Sequence, residues 1–124
     1  LVLYGSGPWT ALGQSLAGGQ GLSRLSGAGP LTPGSTVELL VEHVRPNAPG
    51  FVVLGLSELS APFKGGTLVP HPDVIAPITS DASGEALLSA PWPAGIPPAT
   101  QLYAQAWFLA AHPAATTAVR ATTP

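Results

Sequence analysis

The chain has 124 residues, and only 8% of them are charged, where an ordinary domain carries about 25%. A net charge of −2 provides no basic field for nucleic acid or an anionic membrane, which excludes DNA-binding, RNA-binding and polybasic membrane roles. The length fits one domain, residues 1–124. Because 45% of the residues are hydrophobic, the 15 Gly and 15 Pro residues are interpreted as turns between short strands, not as disorder.

The chain contains no Cys and no Met, and it begins with Leu1. Without Cys there is neither a disulfide framework nor thiolate chemistry. No apolar run approaches the roughly 20 residues that span a bilayer. We expect a processed chain, either a mature product after signal-peptide removal or an excised segment, located outside the cell or at its surface.

The first 29 residues form an irregular segment rich in Gly and Ser. Residues 1–4 are an apolar run typical of a short strand, which the Gly-Ser-Gly-Pro of residues 5–8 ends.

Two weak elements follow within this segment. Residues 10–16 predict one helical turn with Thr10 as its N-cap, and Gly13 argues against a longer helix. Residues 22–26 predict a short edge strand.

The clearest strand covers residues 35–44, where the side chains alternate between two faces. Its apolar face carries Val37, Leu39 and Val41, and its other face carries Glu38, Leu40 and Glu42. Residues 51–56 are continuously apolar, which is typical of a central strand buried on both faces. Gly55 within them indicates a bulge or close packing.

The centre of the chain predicts strands separated by loops. Residues 60–66, which include Lys64, predict a loop. Residues 68–69 and 74–79 predict strands, and residues 80–84 (Ser-Asp-Ala-Ser-Gly) predict a hairpin turn.

Three further strands are predicted at residues 85–90, 101–109 and 116–123. The second is the clearest of these, because one face carries small and apolar residues and the other carries larger ones. The first face comprises Leu102, Ala104, Ala106 and Phe108, and the second comprises Tyr103, Gln105 and Trp107.

Together these patterns predict an all-β, antiparallel β-sandwich of seven to nine short strands, immunoglobulin-like or jelly-roll-like, with at most one helical turn. Trp107 is expected on the sheet face opposite the core. The predicted core comprises Val37, Leu39, Val41, Phe51, Val53, Leu54, Leu102 and Phe108.

Three stretches carry a family resemblance: Tyr-Gly-Ser-Gly at residues 4–7, PHPDVIAPITSDASG at 70–84, and LYAQAW at 102–107 followed by AVRAT at 118–122. Together they resemble the small β-sandwich module found, often at the C-terminus, in secreted and surface proteins of planctomycetes and myxobacteria. Pro8 stands where members commonly have a Cys. The resemblance implies an extracellular β-sandwich without a known catalytic set.

Candidate chemistry in the chain is sparse. The His71-Pro72-Asp73 tripeptide matches that of J-domain co-chaperones, but the chain lacks the helical hairpin and basic face on which that motif depends. As a His–Asp pair it lacks a Gly-x-Ser-x-Gly nucleophile. We therefore interpret it as a rigid, solvated loop.

Metal and hydrolase sites are not predicted. The histidines His43, His71 and His112 have no ligand spacing, and a tight turn explains Asp81 without calcium. Glu38 and Glu42 lie about 13 Å apart along a strand, too far for a glycosidase pair. We expect no enzyme activity, metal or cofactor.

The tryptophans leave alternatives open. Trp107 is expected to pack within the fold. Trp92, between Pro91 and Pro93, either forms an exposed stacking platform for a sugar or partner or plugs the end of the sandwich. Trp9 is expected to pack on a neighbouring subunit.

Ten charged residues are too few to keep the surface free of apolar patches. We therefore expect a structural, self-assembling extracellular protein that forms a filament, tube or surface layer with itself as partner. The alternative is a non-catalytic accessory module of a secreted protein, for carbohydrate binding or cell-surface attachment. The expected assembly contacts are Leu1, Val2, Leu3, Tyr4, Trp9, Leu12 and Leu16.

Overall fold

A computed structural model describes residues 9–18, 21–109 and 113–124. These residues form eleven strands and no helix. The predicted strand at residues 1–4 lies outside the described residues. The strands are β1 (Trp9–Gly13), β2 (Arg24–Ala28), β3 (Thr36–Glu42), β4 (Pro49–Gly55), β5 (Glu58–Phe63), β6 (Gly66–Pro70), β7 (Val74–Thr79), β8 (Ala86–Pro91), β9 (Gln101–Phe108), β10 (Ala114–Ala115) and β11 (Ala118–Thr122).

The strands form two packed sheets and a separate hairpin. The larger sheet has six strands in the order β1-β11-β9-β4-β7, with β10 also pairing with β9. The smaller sheet has the order β2-β3-β8, and β5 pairs only with β6. All of these pairings are antiparallel. Apart from the hairpin, the chain crosses between the two sheets four times, after β1, β3, β7 and β8.

The main core lies between the two sheets. Leu25, Leu39 and Val41 contribute to it from the smaller sheet, and Val52 and Val119 contribute from the larger one. This packing confirms the predicted antiparallel β-sandwich.

The β5–β6 hairpin covers the outer face of the larger sheet. There Phe63 and Leu68 pack against a second cluster that contains Val53 and Trp107. The centre of the larger sheet is therefore buried on both faces, which explains why apolar residues predominate on both sides of β4 and β9.

The strongest sequence patterns are confirmed. Residues 35–44 become β3, residues 51–56 fall largely in β4, and residues 101–109 become β9. Gly55 is closely packed as predicted, because a Cβ atom there would collide with the backbone carbonyl of His71. The edge strand predicted at 22–26 is β2, shifted by two residues.

The predicted helical turn at residues 10–16 is wrong. Residues 9–13 instead form β1, in which Trp9 pairs with Ala121 of β11. Pairing with an existing strand gives the backbone N–H and C=O groups more hydrogen bonds than a single helical turn, in which most of these groups would stay unpaired.

The predicted loop at residues 60–66 is mostly wrong, because residues 60–63 belong to β5 and Gly66 begins β6, so that only a two-residue turn remains. Lys64 and Gly65 form the turn with φ angles of 49° and 88°. Two successive positive φ angles are typical of the type I′ turns that join twisted strands.

The predicted hairpin at residues 80–84 is a crossing between sheets instead. It connects β7 of the larger sheet to β8 of the smaller one. Asp81 still shapes a tight turn, because its Oδ1 accepts the N–H groups of Ser83 at 2.8 Å and Glu85 at 3.1 Å.

Two members of the predicted core are misplaced. Phe51 is half-buried, and both Phe51 and Val53 face the hairpin side with Trp107 instead of the space between the sheets. Val52 takes the place facing the main core. Trp9, Leu25 and Val119 are core residues that the sequence patterns did not reveal.

Candidate functional site

Trp9 lies inside its own domain, where only 1% of its surface is exposed. Its ring lies against Gly27, and its Nε1–H donates to the carbonyl of Gly29 at 3.1 Å. In this position Trp9 has no free surface to offer to a neighbouring subunit.

The other predicted assembly contacts in the described residues are also held within the domain. Leu12 packs beside Tyr103 and Val69, and Leu16 packs beside the cluster of Trp107. Leu16 also exchanges backbone hydrogen bonds with Ala115. Leu1, Val2, Leu3 and Tyr4 lie outside the described residues.

Trp92 is half-buried at one end of the sandwich, just after β8. Its backbone N–H donates to the backbone carbonyl of Ser35 at 2.8 Å, and its backbone carbonyl accepts the N–H of Gly34 at 2.9 Å. These bonds tie the residue to the segment that precedes β3, and its side chain packs against the main core. This is the placement expected of a residue that closes the end of the sandwich.

Trp92 also lines a partly open pocket of about 210 Å³ between the two sheets. All nine lining residues are apolar. They are Val37, Leu39, Leu54, Leu88, Ala90, Pro91, Trp92, Pro93 and Leu102. A pocket with this lining suits an apolar group and offers no side chain for acid–base or nucleophilic chemistry.

Besides the pocket, the edge of the larger sheet at β7 is a candidate interaction surface. Val74 and Ile75 are 55% and 58% exposed there, although both are large and apolar. Val74 pairs with Leu54, and Ile75 pairs with Val53. Among the described residues no strand pairs with the other side of β7. A strand of this kind is open to pairing with another chain.

Leu56, which is 55% exposed, extends this apolar surface beyond the end of β4. Its N–H donates to Oδ2 of Asp73 at 2.9 Å, just before the start of β7. The other carboxylate oxygen of Asp73 contacts Nδ1 of His71 at 3.1 Å. The His71–Asp73 pair therefore fastens the corner between β4 and β7.

The hydrogen bond from Leu56 lowers the pKa of Asp73 below its ordinary value. Slight desolvation opposes this, and the contact with His71 adds to the lowering. The carboxyl is thus ionised at neutral pH, which suits an acceptor for a backbone N–H group.

No group of three His, Cys, Asp or Glu side chains is placed to hold a metal within residues 9–18, 21–109 and 113–124. His43 lies apart from His71, and its Nδ1 contacts the carbonyl of Leu22 at 2.8 Å. His112 lies outside the described residues.

Comparison with protein-family models, curated proteins and solved structures finds no match. The resemblance to the planctomycete and myxobacterial module therefore stays a prediction. In the described part of the chain, no helix is long and apolar enough to cross a membrane.

Proposed function

We propose that this protein is a non-catalytic structural subunit that assembles with copies of itself outside the cell or at its surface. The observation that supports the proposal most directly is the β7 edge, where a strand that is paired on only one side among the described residues carries exposed Val74 and Ile75. Natural proteins usually protect such edges with charged residues, especially Lys. Residues 74–79 carry no charge.

Pro77 is the one protective feature within this strand. Proline lacks an N–H group and is found on edge strands because its nitrogen can face solvent there, where no hydrogen bond to a neighbouring strand is lost. It removes one donor from the edge but leaves the apolar side chains exposed. Pro77 thus weakens pairing at one position without closing the edge.

The topology suggests how copies would join. β1 and β7 are the two outer strands of the larger sheet, and they run in the same direction because four antiparallel pairings separate them. Pairing of β7 with β1 of the next copy would join two different surfaces. Contacts of this head-to-tail kind extend into filaments when they do not close into a ring. The low charge of the surface opposes such growth only weakly.

The test compares Ile75→Lys with Leu87→Lys as a matched control. Leu87 is exposed to 56%, nearly the same extent as Ile75, but it lies in the smaller sheet. Light scattering across a concentration series and negative-stain microscopy measure assembly, and circular dichroism checks folding. We expect the unmodified chain and Leu87→Lys to form polymers and Ile75→Lys to stay monomeric.

Two results would contradict the proposal. If the unmodified chain stayed monomeric at high concentration, the proposal of self-assembly would be wrong. Glycan binding by that monomer would favour the accessory-module alternative. Polymers that persist in Ile75→Lys would show that the contact lies elsewhere.

A further inference from the structure

Arg120 lies on the outer face of the larger sheet, in the strand next to β1. Its neighbours in β11, Val119 and Ala121, belong to the main core, so alternation places Arg120 on the opposite face of the sheet. It is half-buried there, and it is the one charged residue within the described strands of this sheet. Arg120 forms no ion pair within the described part of the chain.

A row of paired residues crosses the sheet from Arg120 to the β7 edge. Arg120 pairs with Tyr103 of β9, and Tyr103 pairs with Gly55 of β4. The next position in this row belongs to Asp73, because Val74 pairs with the residue before Gly55. The sheet therefore carries a cation near one edge and an anion at the other edge, in the same row.

A second copy placed beside the first would bring these two charges together. Among residues 9–18, 21–109 and 113–124, β1 and β7 each pair with one strand only, and they run in the same direction. With the rows of the two copies aligned, Asp73 lies beside Thr10 of the next copy, and Thr10 pairs with Arg120. Two strand spacings of about 4.8 Å then separate the Cα atoms of Asp73 and Arg120 by about 10 Å. The long arginine side chain and the aspartate side chain together bridge this distance.

The same alignment keeps the proline of β7 out of the joint. Residues 11–13 of β1 lie beside residues 74–76 of the neighbouring β7, and β1 ends before Pro77. A register in which β1 extended further along β7 would include Pro77, which has no N–H to donate. Half-buried Ala11 and Leu12 would meet Val74 and Ile75, which are 55% and 58% exposed.

We propose that copies of this chain join in this register, with the carboxylate of Asp73 paired with the guanidinium of Arg120 in the next copy. The inference rests on the proposed self-assembly through β7 and specifies the partner surface and the register of that joint. Because one edge of each copy supplies the anion and the other edge supplies the cation, the pair repeats at every joint of a filament. Opposite charges across an interface fix its register and disfavour misaligned copies.

Charge reversal at each edge tests the pairing. In Asp73→Lys every joint sets two cations against each other, and in Arg120→Glu every joint sets two anions against each other. We expect each variant alone to stay monomeric in light scattering and negative-stain microscopy. An equimolar mixture should polymerise, because an alternating copolymer of the two variants has opposite charges at every joint. The double variant Asp73→Lys/Arg120→Glu should polymerise alone for the same reason.

Arg45→Glu is the matched control, because it makes the same change of charge at an exposed residue between β3 and β4. We expect it to polymerise like the unmodified chain. Normal polymers of Arg120→Glu, or a mixture of folded variants that stays monomeric, would show that the pairing is wrong while self-assembly through β7 stands. If the unmodified chain stayed monomeric, self-assembly itself would be wrong, and the pairing with it.

Disulfide trapping tests the register with both charges in place. The chain has no cysteine of its own, so Val74→Cys and Ala11→Cys each introduce one thiol. The two positions face the same side of the sheet, because their partners Leu54 and Val119 both pack in the main core. Adjacent strands lie about 4.8 Å apart, within the Cα separation of about 4.4–6.8 Å that a disulfide spans.

We expect an equimolar mixture of the two cysteine variants to oxidise to a covalent heterodimer, as measured by mass spectrometry and non-reducing gels. In the control, Thr79→Cys replaces Val74→Cys, because Thr79 lies about 16 Å further along β7. Absence of the Val74→Cys heterodimer from polymers of the mixture would overturn the proposed register. Equal cross-linking with Thr79→Cys would overturn it as well.

Discussion

The side-chain carbonyl oxygen of Gln105 accepts the backbone N–H of Val69 at 3.0 Å, and Gln105 is completely buried. The bond joins β9 in the centre of the larger sheet to β6 of the covering hairpin. The same oxygen accepts Nε1–H of Trp107 at 3.1 Å, and the Gln105 amide nitrogen lies 3.2–3.3 Å from the carbonyls of Gln14, Thr67 and Thr116. One polar side chain thus connects four separate parts of the chain.

Replacement of Gln105 by Leu should destabilise the fold by about 3 kcal/mol, because each buried group left without a partner costs about 1–3 kcal/mol. Denaturant unfolding measures the change. Ser89→Leu is the control, since it places the same apolar side chain at an exposed strand position and should cost less than about 0.5 kcal/mol. Equal stability of the two variants would show that the buried network contributes little.

The contact between Trp9 and Gly27 predicts strong coupling between two distant positions. A Cβ atom at Gly27 would overlap the Trp9 ring, so Gly27→Ala should cost about 1–3 kcal/mol by overpacking. In a Trp9→Leu background the ring is gone, and the same Gly27→Ala change should cost much less. A double-mutant cycle measures the difference. Additive effects would contradict direct contact as the cause.

The sequence predicted the strands in which one pattern dominates. In β3 the alternation of Val37, Leu39 and Val41 with a face that carries two glutamates identified both the strand and its buried face. In β4 every residue from 51 to 54 is apolar, so alternation gave no preference for a face, and Phe51 and Val53 were assigned to the wrong side. The burial of Trp9 was not predictable, because its partner Ala121 is more than a hundred residues away.

The hairpin should form a unit that opens separately from the sandwich. Its main aromatic anchor is Phe63, whose ring meets that of Trp107 edge-on with centroids 5.0 Å apart. Such a pair contributes about 0.5–1.5 kcal/mol beyond the burial of its area. We expect Phe63→Ala to accelerate hydrogen exchange in β6 and leave β3 protected. Leu59→Ala, at a 44% exposed position of β5, is the control. Uniform acceleration throughout the protein would show that the hairpin and sandwich open together.

The lowered pKa of Asp73 predicts a pH-dependent contribution to stability. The ionised carboxylate stabilises the folded state above the unfolded pKa of about 3.9, and this contribution is lost as pH falls through the lower folded-state pKa. Asp73→Asn should therefore melt below the unmodified protein at pH 7, and the difference should shrink in acid. His71→Gln should keep most of the pH dependence, because the N–H of Leu56 is the main cause of the shift. A difference that stays constant from neutral to acidic pH would contradict this assignment.

The candidate sites were less predictable than the strands. Trp92 was identified from its two flanking prolines, but the pocket it lines is built from β3, β4, β8 and β9, which lie far apart in the sequence. The exposed edge at β7 depends on sheet order, which the alternation of side chains does not encode. Residues 74–79 were correctly predicted as a strand, yet nothing in their pattern shows whether the strand lies at an edge or in the centre.

Two deletions separate the contribution of residues 1–8 to stability from that of residues 9–29. Removal of residues 1–29 takes away β1 and β2, including Trp9 and Leu25, which are 1% and 0% exposed. Truncating large buried side chains of this kind costs about 2–5 kcal/mol each, and a domain is stable by only about 5–15 kcal/mol in total. We therefore expect this deletion to abolish cooperative thermal unfolding. Removal of residues 1–8 leaves every described strand in place and should preserve a cooperative transition. If the longer deletion melted like the unmodified chain, β1 and β2 would contribute nothing essential, and the segment would be free to exchange between subunits after all.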